Sequence, residues 1–287
     1  MTEGYIIRTM APDEIAVAVD WAAAEGWNPG MDDAACFQTV DPQGFIGGWL
    51  NGQMISTISV VNYDDAFSFL GFYIVAEPYR GQGHGYALWQ EAIKHAGTRL
   101  IGLDGVVAEQ DNYRRSGFEF AYNNIRYGGA PKLPSNAWPP TGVTIKPLDI
   151  VGADLAAYDR QMFPAPRETF MKAWLSSPGH IARAARSATG EVCGYGAIRP
   201  CRTGHKIGPL FADNAMVARA LVSDLIDAAD LDGGEIFLDV PEPNAAAATI
   251  AQDLGLTPVF ETARMYTGPA PKIDTARIFG VTTFELG

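Results

Sequence analysis

Residues 75–85 read VAEPYRGQGHG and join an apolar, strand-like stretch to an amphipathic, helix-like one. Three glycines, Gly81, Gly83 and Gly85, alternate with other residues in this stretch, and Arg80 precedes them. Glycine allows the backbone to approach an anion closely, and the start of a helix presents unpaired N–H groups and a partial positive charge. An arginine adds a fixed cation. The stretch therefore predicts a loop that binds the phosphate groups of a cofactor.

Other types of phosphate loop fit the sequence less well. The chain has no G-x-x-x-x-G-K-[ST] string, which P-loop proteins carry. A dinucleotide-binding fold needs G-x-G-x-x-G directly after a strand, and here Tyr86 stands where the third small residue belongs. Asp104 suits the ribose contact of that fold and keeps the alternative open. A plain strand-to-helix turn is a further alternative, but one glycine is enough for a turn.

Two motifs resemble the GNAT acetyltransferase superfamily. The strand FLGFYIV at 69–75, followed by R-x-x-G-x-G at 80–85, is similar to the acyl-CoA loop of that family. The stretch YRRSGF at 113–118 is similar to the end of the family's last helix. The resemblance implies acetyl-CoA as co-substrate, held at its pyrophosphate by backbone amides and at its thioester carbonyl by a backbone N–H near Ile74 or Val75. The cofactor-binding residues predicted on this basis are Tyr73, Ile74, Val75, Arg80, Gly81, Gln82, Gly83, His84 and Gly85.

The same resemblance implies that Tyr113 donates a proton to the departing CoA thiolate. An unperturbed phenol is protonated at neutral pH, so the side chain needs only hydrogen-bond reach to the sulfur. The alternative interpretation is a core aromatic residue of a short helix.

The sequence leaves the identity of the general base open. Phe69 occupies the position at which the family often has a glutamate, yet amine acylation requires a group or a water chain that removes a proton from the nucleophile. Asp104 is predicted as catalytic, although an aspartate there also suits the anchoring of a strand end. The other candidates are Asp64 and Asp65 in a predicted turn and Glu77 in the loop.

Composition argues against several classes of function. A net charge of −12 opposes non-specific binding to nucleic acid, and either favours a cationic substrate or serves solubility alone. No apolar run approaches the ~20 residues that span a bilayer, and the N-terminus has no signal-peptide pattern, so the cytoplasm is the expected compartment. The three cysteines and four histidines are scattered, which predicts neither disulfide bonds nor a bound metal.

The 287 residues divide into two similar halves. A stretch rich in glycine and proline at 129–142 predicts a linker between a domain at 1–128 and a domain at 143–287. Three pairs of landmarks recur at a nearly constant offset, which predicts a duplication. The pairs are Arg8 and Lys146, Asp104 and Asp239, and Gly117 and Gly255, at offsets of 138 (146 − 8), 135 (239 − 104) and 138 (255 − 117) residues.

The second half lacks the glycine loop. Its strand KIGPLF at 206–211 leads to Asp213 and Asn214, and either side chain would cap the following helix and occupy the N–H donors that a pyrophosphate needs. The run RPCRTGHK at 199–206 is most simply an exposed, charged hairpin turn. The polar side chains through which this half would contribute to a pocket are Arg199, Arg202, His205 and Asp239.

These features predict an α/β protein (α+β, mixed sheet) with two GNAT-like acyl-CoA N-acyltransferase domains in tandem, the second with a degenerate cofactor loop and a substrate-pocket or structural role. The expected activity is N-acetyl transfer to a primary amine of a small, amino-acid-like molecule, by direct attack through a tetrahedral intermediate. The alternatives are a protein or peptide N-acetyltransferase and a non-catalytic acyl-CoA sensor. The sequence sets neither the acceptor, nor the acyl-chain preference, nor the oligomeric state.

Overall fold

The structure, a computed structural model, describes residues 4–133, 139–148 and 150–287. These residues form one mixed sheet of thirteen strands with eight α-helices packed on it, which confirms the predicted fold class. The strands are β1 (Tyr5–Thr9), β2 (Phe45–Leu50), β3 (Gln53–Asn62), β4 (Phe67–Val75), β5 (Leu100–Val106), β6 (Glu119–Gly129), β7 (Thr144–Pro147), β8 (Ile181–Arg186), β9 (Val192–Pro200), β10 (His205–Ala212), β11 (Ile236–Pro241), β12 (Thr257–Tyr266) and β13 (Ile278–Gly280). The helices are α1 (Pro12–Ala24), α2 (Asp33–Gln38), α3 (His84–Ala92), α4 (Gln110–Arg115), α5 (Ala153–Asp159), α6 (Glu168–Leu175), α7 (Ala215–Ala229) and α8 (Ala245–Asp253).

Local sequence signals account for many of these elements. Asn51 and Gly52 both have positive φ, 52° and 83°, as the tight turn between β2 and β3 requires. Pro12 begins α1, where its missing N–H has no consequence. Leu88, Trp89 and Ala92 form the buried face of α3, whereas Tyr86 is 69% exposed.

The predicted linker overlaps the end of a strand. β6 continues to Gly129, and the residues from 130 to 133 and from 139 to 143 have no regular structure. Residues 134–138 of the predicted linker lie outside the described residues. Among the described residues, no helix has the length and apolar character needed to cross a bilayer.

The two halves exchange their last long strands. The sheet order is β1-β2-β3-β4-β5-β12-β6-β11-β10-β9-β8-β7, with β13 paired to β10. Therefore β12, from the second half, lies between β5 and β6, while β6, from the first half, lies between β12 and β11. Neither half completes its own part of the sheet, and the exchange has no local signal in the sequence.

Two buried ion pairs connect the exchanged strands to their hosts. Asp104 on β5 faces Arg264 on β12, with Arg264 Nη2 2.6 Å from Asp104 Oδ2. Asp239 on β11 faces Arg126 on β6, with Arg126 Nε 2.6 Å from Asp239 Oδ1. The offsets between the equivalent residues are 135 (239 − 104) and 138 (264 − 126), so the repeat relates the two pairs. Each ion pair therefore joins a strand of one half to a strand of the other half.

The hairpin of β9 and β10 is more buried than predicted. Its turn and Arg202 are at the surface, where Arg202 pairs with Asp20. However, Arg199 and Lys206 are only 0% and 1% exposed, so the expectation of an exposed, charged hairpin is wrong at both. The reason is that α2 of the first half packs here, and its Asp33 receives a hydrogen bond of 2.8 Å from Arg199 Nε.

In each half, two neighbouring parallel strands pair over only part of their length and then separate, β4 from β5 and β10 from β11. In the second half, other residues fill the gap between the strands. β10 and β11 pair only from His205 to Ile207, after which β13 and the following residues run alongside β10. A Cβ atom on Gly208 would lie 2.5 Å from the Val281 carbonyl oxygen, so this backbone crosses closely. Residues 281–287, called the closing segment below, are all buried.

We predict that Asp239→Asn lowers the free energy of unfolding by about 3–5 kcal/mol, because it leaves the Arg126 guanidinium buried without its counter-charge. Guanidinium chloride denaturation measures this change. The matched control is Asp111→Asn, which breaks an exposed pair with Arg114 and should leave the unfolding free energy unchanged within error. Equal effects of the two substitutions would contradict a special role for the buried pair.

Candidate active site

The main cavity lies where β4 and β5 separate. The two strands pair in parallel only from Phe67 with Leu100 to Leu70 with Leu103. Beyond those pairs, residues 71–75 and 104–106 line the two sides of a cavity of about 650 Å³. Because β4 has no strand partner on this side, its backbone groups that point away from β3 are free to bind a ligand. This is the stretch that sequence analysis associated with the thioester carbonyl.

A bulge in β4 shapes this wall. The register between β3 and β4 shifts at the bulge, and Phe72 takes a left-handed backbone with φ of 50°. Thr57 Oγ1 donates a 2.8 Å hydrogen bond to the Phe72 carbonyl oxygen and holds the bulge. Bulges bend a strand and redirect its side chains, often beside active sites. Here the bulge lies directly before the residues predicted to bind the cofactor, Tyr73, Ile74 and Val75.

The glycine loop leaves the start of α3 bare. Gly81 and Gly83 have φ of 73° and 84°, and a Cβ atom on either would meet no heavy atom within 4 Å. Gly83 is the N-cap of α3 and offers no side chain to cap it. Gly85 differs, because a Cβ atom there would lie 2.7 Å from Tyr73 Oη. The first two glycines therefore leave the start of α3 open, as the predicted anion-binding loop requires, and the third allows the helix to pack against β4.

The equivalent helix of the second half is capped. The Asn214 side chain accepts hydrogen bonds of 3.0 and 3.1 Å from the N–H groups of Met216 and Val217 at the start of α7. This confirms the predicted capping. Asp213 instead accepts a hydrogen bond from the Tyr158 hydroxyl, at 3.0 Å, and pairs with Arg277. The donors that a pyrophosphate would use are occupied in this half.

Seven of the nine predicted cofactor-binding residues line the cavity, and two do not. Those that line it are Tyr73, Ile74, Val75, Arg80, Gly81, Gly83 and Gly85. The Gln82 side chain turns back to donate to the Pro78 carbonyl oxygen at 2.8 Å, and His84 is buried against Tyr5. Arg80 donates to the Val75 carbonyl oxygen at 2.8 Å and pairs with Glu25 at the mouth of the cavity.

Tyr113 is both a core residue and a cavity residue. Its ring packs between Trp89 and Phe118, and the side chain is 8% exposed. A Cβ atom on Gly105 would lie 2.2 Å from Tyr113 Cε2, so glycine at 105 makes room for the ring. Burial raises the pKa of Tyr113, with smaller contributions from Glu109 and Tyr73. The phenol is thus protonated at neutral pH and faces the cavity, as a proton donor must.

Asp104 lines the cavity, but its carboxylate is already in use. Arg264 donates to both oxygens, at 2.7 and 2.6 Å, and Asn124 Nδ2 donates at 2.8 Å. Burial raises the pKa of Asp104 and Arg264 lowers it. A base would have to abandon this ion pair to take up a proton. The contact with Arg264 joins β5 to β12, and the catalytic role of Asp104 stays a prediction.

The other candidate bases lie outside the cavity. Asp64 Oδ1 accepts hydrogen bonds of 2.8 Å from the N–H groups of Ala66 and Phe67, which makes it a turn residue. Asp65 and Glu77 do not line the cavity either. Phe69, at the position where a glutamate was considered, is fully buried with the Arg264 guanidinium 5.1 Å from its ring centroid.

Sequence analysis missed Glu285, which lines the cavity from the closing segment. The residue is 2% exposed, and neither of its carboxylate oxygens has a hydrogen-bond partner among the described residues. A Cβ atom on Gly71 would lie 2.1 Å from the Glu285 carbonyl oxygen, so the segment passes directly over β4. The stretch TFELG carries no motif, and its only signal was a single acidic residue in an apolar context.

The second half also supplies an aromatic wall. Phe260 and Thr262 on β12 and Phe284 on the closing segment line the cavity opposite the glycine loop, together with Trp27 of the first half. The rings of Phe260 and Phe284 are 6.3 Å apart. None of the residues predicted for this role, Arg199, Arg202, His205 and Asp239, lines the cavity. Within the described parts of the chain, no three His, Cys, Asp or Glu side chains are grouped to hold a metal ion.

Comparison with known proteins gives matches across both halves. A model described as "Acetyltransferase (GNAT) family" matches residues 13–118, and one described as "Acetyltransferase (GNAT) domain" matches residues 155–280. A curated relative, holothin acyltransferase from Pseudoalteromonas sp. (strain SANK 73390), is 31% identical over 275 residues, which cover 96% of this chain and 92% of the relative.

Solved structures share the fold along the whole chain. A candidate acetyltransferase from Pyrococcus horikoshii superposes with a TM-score of 0.83 at 20% identity, covering 100% of this chain and 97% of the other. A tandem GNAT protein from the clavulanic acid biosynthesis pathway superposes with a TM-score of 0.61 at 13% identity, covering 93% of this chain and 99% of the other. These identities are low, so the similarity concerns the fold alone.

Proposed function

The chain belongs to the GNAT superfamily of acyltransferases, with two GNAT domains in tandem, and we propose that its first half transfers an acetyl group from acetyl-CoA to a small-molecule amine. The observation that carries this proposal is the cavity between β4 and β5. At one end it is bounded by the bare glycine loop and at the other by side chains of the second half. A phosphorylated acyl donor and a small acceptor would meet between these two ends.

The glycine loop supports a CoA site in the first half alone. The uncapped N-terminus of α3 offers N–H donors to the pyrophosphate, next to Arg80, whereas Asn214 occupies the equivalent donors of α7. In the second half the closing segment also fills the gap beside β10. We therefore propose one acyl-CoA site per chain, with the division into domains at 1–128 and 143–287 kept as a description of the repeat.

The part of the cavity lined by the second half, called the acceptor end below, favours a small-molecule acceptor over a peptide. Phe260, Thr262, Phe284 and Glu285 line this part of the cavity, where a protein acetyltransferase would need a groove as wide as a peptide. The relative at 31% identity is named a holothin acyltransferase, and we propose holothin as the first acceptor to test. The cavity walls are largely apolar and aromatic, which suits a compact, flat amine.

The proposed chemistry is direct transfer without an acyl-enzyme. The amine nitrogen attacks the thioester carbonyl carbon, the carbonyl oxygen takes up negative charge beside the backbone of residues 71–75, and the C–S bond then breaks. Tyr113 donates its proton to the departing thiolate. A cysteine nucleophile does not fit, because no cysteine lines the cavity and burial raises the pKa of Cys36 to about 11.

We predict that Gly83→Glu weakens acetyl-CoA binding roughly 100-fold or more, because the added carboxylate would project into the space proposed for the pyrophosphate. Isothermal titration calorimetry measures this affinity. The matched control is Gly83→Ala, which has the same strain at positive φ, about 1–2 kcal/mol, but no charge. Failure of the wild-type protein to bind acetyl-CoA would overturn the proposed function.

We predict that the wild-type protein acetylates holothin or a small aromatic amine and leaves lysine-containing peptides unmodified, since a cavity of about 650 Å³ lined by side chains of both halves suits a small acceptor better than a peptide. Release of CoA thiol, followed with a chromogenic thiol reagent, measures the rates for a panel of both kinds. Faster acetylation of peptides would support a protein acetyltransferase. Binding of acetyl-CoA without turnover of any amine would support a sensor.

We predict that Tyr113→Phe lowers kcat by roughly 100-fold or more with little change in acetyl-CoA affinity, because the ring still packs but the proton donor is lost. Steady-state kinetics and calorimetry provide the two values. Tyr127→Phe is the matched control, since Tyr127 is also buried but lies away from the cavity. An unchanged kcat in Tyr113→Phe would leave Tyr113 with a packing role only.

A further inference from the structure

Glu285 is a buried carboxylate that faces the cavity without a partner. It is 2% exposed, it lines the acceptor end, and neither oxygen is hydrogen-bonded to any residue that the structure describes. A buried charge without a partner is costly, so such groups are usually satisfied by a ligand or have a catalytic role. The position of Glu285 beside β4 puts it on the same cavity as Tyr113 and the backbone proposed for the thioester.

Hydrogen bonds from both halves hold the closing segment, which sets the position of the Glu285 backbone. Thr283 Oγ1 accepts 3.0 Å hydrogen bonds from the N–H groups of Glu285 and Leu286. Tyr63 of the first half donates to the Leu286 carbonyl oxygen at 2.8 Å, and Arg167 of the second half donates to Thr282 Oγ1 at 2.9 Å. Both halves therefore hold the segment, as a positioned catalytic group requires.

Three buried cations lie near Glu285. Its carboxylate acts to raise the pKa of three buried cations, Arg126, Arg199 and Lys206. Two of these cations already have carboxylate partners, in Asp239 and Asp33, whereas the Lys206 ammonium donates only to the Trp27 carbonyl oxygen, at 3.5 Å. Three cations and two aspartates leave one formal positive charge beside Glu285.

Aromatic side chains line the cavity together with Glu285. They are Phe260, Phe284 and Trp27, and the Arg126 guanidinium lies 4.8 Å from the Phe284 ring centroid. The backbone of Trp27 is fixed by a 2.7 Å hydrogen bond from Arg126. A flat amine would lie against these rings with its nitrogen directed to the Glu285 carboxylate. Aromatic faces also stabilise a cationic amine before it loses its proton.

We propose that Glu285 is the residue that binds the acceptor amine and removes its proton, an assignment that rests on the proposed acyltransferase function. An acceptor that enters as its ammonium first gives one proton to a Glu285 oxygen, and Glu285 releases that proton to the solvent. The neutral amine nitrogen then forms a C–N bond to the thioester carbon, and a second proton passes from that nitrogen to a Glu285 oxygen. The C–S bond then breaks, and Tyr113 transfers its proton to the thiolate sulfur. Exchange with solvent returns the Glu285 proton to Tyr113, so the net reaction moves one proton from the amine to the thiol.

The test compares Glu285→Gln, which removes the charge at nearly constant shape, with Glu261→Gln, the same change at an exposed carboxylate on β12. The probes are acetyl-CoA with holothin and the aromatic amines of the panel. Glu285→Gln is expected to lower kcat/KM for the amine by 10²–10⁴-fold and to leave acetyl-CoA affinity within about twofold. Glu261→Gln should match the wild type. Glu285→Asp should recover part of the lost rate, because it restores a carboxylate.

The pH dependence separates a base from a structural charge. The charged groups near Glu285 are the cations Arg126 on β6, Arg199 on β9 and Lys206 on β10, with the aspartates that pair with the first two, Asp239 on β11 and Asp33 on α2. They are the same in the wild type and in Glu285→Gln. With the base removed, kcat/KM of the variant should rise steadily with pH as the free amine becomes more abundant, while the wild type levels off earlier.

Three outcomes would overturn the proposal. Glu285→Gln could retain kcat/KM within about threefold, or it could lose acetyl-CoA affinity and thermal stability together while keeping the wild-type pH profile, as a purely structural charge would. A wild-type protein that binds acetyl-CoA but acetylates none of the amines would also overturn it. Failure of acetyl-CoA to bind the wild type is a different result, because it removes the proposed function itself.

Discussion

The exchange of β6 and β12 depends on two buried ion pairs. Asp104–Arg264 and Asp239–Arg126 each connect a strand of one half to a strand of the other, at directly opposed positions of the sheet. A shift of one residue would place each arginine on the wrong face and leave buried charges unpaired, so the pairs specify the register as well as the partner. Because each half lends its last long strand to the other, neither can close its sheet alone, and the cavity is built from both.

Equivalent positions of the two similar halves have different roles. Gly71 and Gly208, 137 residues apart (208 − 71), are both crossed by the closing segment. At Gly208 the segment fills the gap between β10 and β11. In addition, the Asn214 side chain caps α7 and occupies the N–H groups that a phosphate would need. At Gly71 the same segment only borders the cavity and presents Glu285 to it. A half without a cofactor site is thus able to provide the wall and the carboxylate of its neighbour's site.

Sequence reasoning succeeded where the physics is local. The turn at Asn51 and the Asn214 cap follow from a few adjacent residues, and so does the bare glycine loop. It failed where a partner is distant in sequence. The role of Asp104 depends on Arg264, 160 residues away, and the burial of Arg199 depends on Asp33, 166 residues away. Glu285 could not be found either, because only the strand exchange brings the closing segment to β4.

The position of the base follows from the same exchange. In this chain Phe69 lies on β4 with the Arg264 guanidinium 5.1 Å from its ring centroid, on a strand borrowed from the second half. A glutamate at 69 would face that guanidinium and compete with Asp104 for it, which would weaken the ion pair that sets the register and occupy the glutamate itself. A carboxylate on the closing segment avoids this conflict. Neither Glu285 oxygen accepts a hydrogen bond from a residue that the structure describes, and the nearby cation without a carboxylate partner is Lys206, which donates to the Trp27 carbonyl oxygen. The constraint that holds the two halves together therefore favours a base outside β4, on the segment that both halves anchor.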